Sequence, residues 1–201
     1  MIGKKIENFW YYHKFKVIIA IFAVILIIIA GGTGSGGEAD LEIGYVLGDS
    51  EIILKNAEEK VALFESLLEG KNKDKAFVSV LPLTPSRIEI EFVIGISQIL
   101  LLNKETLEPL INHIFFEPLD KYVDKYNIDL TDFPEVKAAA GDSKDQKVYA
   151  LPVKECDILI EMGIPEDYYF TIRLPKENDS DDARKNKNAH IILDYILSND
   201  K

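Results

Sequence analysis

The sequence predicts one α/β domain, a mostly parallel sheet flanked by helices, preceded by one N-terminal transmembrane helix. Three observations carry this expectation. Val17–Ala30 is an unbroken run of fourteen apolar residues. From Leu41 onward, segments of strand periodicity alternate with segments whose apolar residues recur at helical spacing. Gln98-Ile-Leu-Leu-Leu102 is apolar almost throughout, as in a central strand covered on both faces.

With Phe15, Gly31 and Gly32 the apolar run reaches a span of about 18 residues, roughly 27 Å as a helix, close to a hydrocarbon core. Lys4, Lys5, Lys14 and Lys16 precede it, and Trp10, Tyr11 and Tyr12 sit where an aromatic belt forms. The lysines place the N-terminus in the cytoplasm and the C-terminal bulk outside, at the cell membrane. A cleaved signal peptide is the alternative; Ile28 and Ile29 before Ala30 make a poor cleavage site there. No Cys follows the run, which excludes a lipid-modified N-terminus. The expected organisation is a basic and aromatic flank over 1–16, a membrane helix over 17–32, a glycine-rich linker over 33–39, and an extracytoplasmic domain over 40–201.

Four of the 23 basic residues and one of the 34 acidic residues lie before that linker, so the rest of the chain carries a net charge of −14. Phosphate backbones repel such a surface, which argues against nucleic-acid partners. The single cysteine, Cys156, rules out an intramolecular disulfide.

Leu41–Val46 alternates as a strand. Asp49 or Ser50 in Gly48-Asp-Ser50 is a good helix cap. Ile53, Ala57, Val61, Phe64 and Leu68 share one helical face, closed by Gly70. Phe77–Leu81 is a strand stopped by Pro82 and Pro85. Ser86–Ile96 fits a helix opened by a Ser86/Glu89 capping box, and also a strand; α/β alternation favours the helix. After the 98–102 strand, Leu107, Leu110, Ile111, Ile114 and Phe115 trace a helix that starts near Pro109. Residues 117–147 hold at most short helices. Val148–Val153 and Tyr168–Leu174 are strands around a short helix closed by Gly163. A last helix buries Ala189, Ile192, Leu193, Ile196 and Leu197. The order implies a mostly parallel sheet.

Several of these segments look familiar together. Ser97-Gln-Ile-Leu-Leu-Leu-Asn-Lys-Glu-Thr-Leu107, followed by Phe116-Glu-Pro-Leu-Asp120 and Val148-Tyr-Ala-Leu-Pro-Val153, resembles a stretch of extracellular solute-binding proteins. Trp10-Tyr-Tyr-His-Lys-Phe-Lys16 resembles the flank of small Gram-positive membrane-anchored proteins with a reduced domain of that type. The resemblance implies a reduced periplasmic-binding-protein-like domain on the outer surface and names no ligand.

No catalytic constellation stands out. There is no metal-ligand spacing among His13, His113, His190 and Cys156, and no nucleophile elbow. Asn178-Asp-Ser-Asp-Asp182 lacks the glycine and glutamate of a calcium loop, since Ala183 and Ala189 hold those positions. The sequence therefore leads us to expect no cofactor, no metal and no enzyme. Ligands of open α/β sheets sit beyond the carboxyl ends of strands, which points to Asp49, Ser50, Thr84 and Ser97 as ligand-binding candidates. The expected function is a membrane-tethered binding domain for a small solute or a membrane partner. The alternative is a structural or interaction subunit without a ligand site.

Overall fold

A five-stranded mixed sheet organises the domain. The computed structural model describes residues 38–48, 52–71, 75–113, 115–139 and 145–199. The strands are β1, Leu41–Val46; β2, Val78–Leu83; β3, Ile99–Asn103; β6, Leu151–Pro152; and β7, Tyr168–Ile172. Two further strands, β4, Lys137–Ala138, and β5, Lys147–Val148, form a separate antiparallel pair. The helices are α1, Ala57–Leu67; α2, Ile88–Ile94; α3, Lys104–Leu110; α4, Asp120–Tyr126; α5, Asp157–Glu161; and α6, Ser180–Ser198.

β1 pairs in parallel with β2 on one side and β3 on the other. β7 then runs antiparallel to β3, and β6 antiparallel to β7. The mostly parallel sheet expected of a reduced periplasmic-binding-protein-like domain is thus corrected to an α/β domain with a mixed sheet. The physical reason lies in the second half. Leu151 pairs with Phe170 and Pro152 with Tyr169, so the chain leaves β6 and re-enters β7 at the same end. The five-residue α5 and the turn at Gly163 bridge only that gap; they do not carry the chain back along the sheet. All five residues of β7 are buried, so its apolar run looks like that of a parallel strand although its direction is reversed.

α6 packs against β1 and β7 and touches α1, α4 and α5. Its expected apolar face forms as read: Ala189, Ile192, Leu193, Ile196 and Leu197 are all buried. Phe64 of α1, Phe116 and Phe170 of β7 are the largest fully buried side chains. Ser86–Ile96 resolves as a helical turn at Pro85–Arg87 running into α2, which is the helix that α/β alternation favours. Ile53 stands outside α1 and is 64% exposed, because residues 52–56 form a loop over Gly163 instead of a first helical turn. Lys55 N–H there donates to Met162 O at 2.8 Å. Gly163 has φ +91°, and a Cβ on it would lie 2.4 Å from Ile53 O.

The expected membrane helix over 17–32 and residues 33–37 of the expected 33–39 linker lie outside the described residues. Among the described residues no helix is long and apolar enough to cross a membrane. The longest, α6, carries Asp181, Asp182, Arg184, Lys185, Lys187 and Asp194 and is far too polar for a bilayer. The single-pass, signal-anchor expectation therefore has no support among the described residues.

Candidate binding crevice at the carboxyl ends of the parallel strands

The chain leaves β1 for β2 on one side, and leaves β3 for the β6 edge on the other. Adjacent strands whose connections diverge leave a crevice beyond their carboxyl ends, the usual ligand position in open α/β sheets. A crevice of about 1080 Å³ opens at this place. Leu47 and Gly48 reach it from the end of β1, and Asn103, Lys104, Thr106 and Glu108 from the end of β3 and α3. Pro85, Ile88 and Glu89 come from the start of α2, and Pro165, Asp167 and Tyr168 from the entry to β7.

Its floor is fixed by backbone-directed hydrogen bonds. Asn103 caps α3: its Oδ1 accepts the Thr106 N–H at 3.0 Å. The Tyr168 hydroxyl donates to Val46 O at 2.9 Å, tying the start of β7 to the end of β1. Burial raises the Tyr168 phenol above its ordinary value, and the neighbouring Asp167 charge adds to this. Gly48 sits against both anchors. A Cβ there would lie 3.0 Å from the Tyr168 hydroxyl and 3.5 Å from Asn103 Nδ2, so the missing side chain keeps the crevice open at this point.

Among the described residues that line it, Lys104 is the single cation, and its charge is already matched. Lys104 Nζ lies 3.0 Å from Glu135 Oε1 and 3.9 Å from Glu108 Oε1. The hydrogen bond to Glu135 raises the Lys104 ammonium above its ordinary value. Burial alone would raise the Glu135 carboxyl; hydrogen bonds from Tyr169 and Lys104 outweigh it and hold the group below the ordinary range. The Tyr169 hydroxyl donates to Glu135 Oε1 at 2.6 Å.

The residues expected at the site divide. Asp49 and Ser50 lie outside the described residues, directly after Gly48. Thr84 follows β2 at its carboxyl end, exposed, with Oγ1 3.2 Å from Ser86 Oγ; its neighbour Pro85 lines the crevice while Thr84 does not. Ser97 precedes β3, at the opposite end of the sheet. It is fully buried, and both its N–H and its hydroxyl donate to Glu91 Oε1, at 2.8 and 2.6 Å.

Ser97 belongs to a buried polar clamp. Arg173 Nε donates to Ser97 O at 3.0 Å, and Nη2 donates to Gly95 O at 3.1 Å and to Asp182 Oδ1 at 2.5 Å. Gln98 Nε2 also reaches Asp182 Oδ1, at 3.3 Å. The acidic run 178–182 thus starts α6, with Asp179 accepting from Asp181 N–H and Asp182 N–H. Asp182 itself is buried. His190 is held on both sides: Nε2 is 2.7 Å from Glu117 Oε2, and Nδ1 is 2.8 Å from the Tyr122 hydroxyl.

Sequence reasoning missed Asn103, Lys104, Thr106, Glu108, Asp167 and Tyr168. The carboxyl-end rule itself selects Asn103, which ends the 98–102 strand just before a helix. The contribution of Tyr168 had no such signal, because it depends on the reversed direction of β7. No known family model matches the chain, and no curated protein or solved structure matches it either.

Proposed function

We propose that this domain binds a small solute in the crevice beyond β1 and β3. The observation that carries the reading is the position of the crevice. It opens where the connections of two adjacent parallel strands diverge, and Tyr168, Asn103 and Gly48 hold that opening in a fixed shape. The segments around 97–107, 116–120 and 148–153 that resemble extracellular solute-binding proteins support the same function.

A second reading has its own observation. Ile90, Val93 and Ile94 of α2 are 53%, 83% and 49% exposed, a set of large apolar side chains on one short helix. Such a face suits an interaction subunit.

Thermal-shift titration of the full-length chain with sugars, amino acids, short peptides and ions separates the two. Solute binding gives a concentration-dependent rise in melting temperature, equivalent to about 2.7 kcal/mol at a hundredfold excess over Kd. Thr106→Trp, which fills the crevice, abolishes the rise. A flat response across the panel, with the chain folded, favours the interaction reading.

A further inference from the structure

We infer that the solute is a linear organic polyamine, a chain of amine groups separated by short aliphatic segments. This rests on the reading of the crevice as a solute site. Four carboxylate residues line it: Glu89 from α2, Glu105 and Glu108 from α3, and Asp167 from the turn before β7. The one cation among the described lining residues, Lys104, is engaged by Glu135 and Glu108. With Glu108 set against Lys104, the charges of Glu89, Glu105 and Asp167 leave the crevice net negative, and a concave shape concentrates that field on a cation entering it.

The carboxylates come from three separate elements. Among the described residues no three His, Cys, Asp or Glu side chains converge closely enough to hold a metal ion. A point charge such as a divalent cation is thus a poor match, whereas ammonium groups spaced along a chain reach separated carboxylates one by one. Leu47, Pro85, Ile88 and Pro109 supply apolar wall between them, suited to methylene segments. Anionic solutes meet only the engaged Lys104, and a neutral sugar leaves the carboxylates unpartnered. The volume of about 1080 Å³ accommodates a molecule of this size with room for water.

The test is isothermal titration of the full-length chain with spermidine, alongside glucose and citrate as neutral and anionic solutes. Each series is run on the natural chain, on Thr106→Trp, and on the combined Glu89→Gln, Glu105→Gln, Glu108→Gln and Asp167→Asn variant. Spermidine is expected to bind, and Thr106→Trp to abolish binding. Each carboxylate is exposed, so each neutralisation weakens binding about two- to fivefold and the combined variant at least about tenfold. Raising ionic strength to about 1 M, where the screening length is about 3 Å, weakens it as well. Circular dichroism confirms that the variants fold; Glu105→Gln with Glu108→Gln, confined to exposed positions of α3, serves if the combined variant does not. Spermidine binding that survives both sets of changes is adventitious attraction to an acidic surface and overturns the inference. Glucose or citrate binding that Thr106→Trp abolishes, with spermidine silent, overturns the polyamine and leaves the solute site standing. No binding by any of the three overturns the polyamine; binding that Thr106→Trp never alters, or a flat response across the whole thermal-shift panel, overturns the solute site as well.

Discussion

The Tyr168 hydroxyl donates to the Val46 carbonyl at 2.9 Å, across 122 positions of sequence. This bond joins the last residue of a parallel strand to the first residue of an antiparallel one. Through it the two halves of the mixed sheet meet at the rim of the crevice.

Tyr168→Phe removes the donor and leaves a buried carbonyl without this partner. A cost of about 1–3 kcal/mol is expected, read from the urea midpoint at unchanged slope. The same change loosens the crevice floor, so solute affinity falls with it.

Arg173 and Asp182 form a buried ion pair, with side chains 5% and 6% exposed. Asp182→Ala leaves the guanidinium without its charged partner, and a loss of about 3–5 kcal/mol is expected. Burial alone would raise the Asp182 carboxyl, but the Arg173 charge and the Lys176 N–H and Gln98 hydrogen bonds hold it below the ordinary value. A carboxyl lowered on folding adds stability that is fully present above its unfolded pKa, about 3.9. That contribution disappears as pH falls through the lower folded value. Urea midpoints measured from neutral to acid pH are expected to drop in this window for the natural chain, and to drop less for Asp182→Asn.

Gly163 has φ +91° with Ile53 O directly over it. Gly163→Ala meets both a left-handed backbone and a close carbonyl oxygen. It is expected to cost more than about 1 kcal/mol, visible as a lowered melting temperature. If Gly163→Ala melts like the natural chain, the loop at 52–56 does not cross Gly163 as described.

Val93, 83% exposed on α2, gives the opposite case. Val93→Ser is expected to change stability by less than about 0.5 kcal/mol, since surface changes away from special features cost little. Loss of a co-purifying partner on this change, with stability unchanged, would support the interaction reading.

Much of the fold was legible because periodicity reports burial. Leu41–Val46, 99–102 and the apolar face of α6 were read from which residues must leave water. Strand direction was not legible, because burial on both faces gives β7 the same apolar run whichever way it points. Ile53 misled for a related reason: its spacing fits the helical face, while the loop over Gly163 turns it outward. At the site, the carboxyl-end rule located the region around Gly48 but was applied to Ser97, which precedes β3. Ser97 serves the Arg173 clamp instead, a role built from Glu91, Gly95 and Asp182, which are distant in sequence from Arg173 or carried on other elements.

The most direct test of the central claim is a ¹⁵N–¹H correlation spectrum of the full-length chain titrated with a solute that raises its melting temperature. The expected result is shifts concentrated at the amides of Gly48, Asn103, Thr106 and Tyr168. Shifts confined to Ile90, Val93 and Ile94 of α2, with those four amides unmoved, would contradict it.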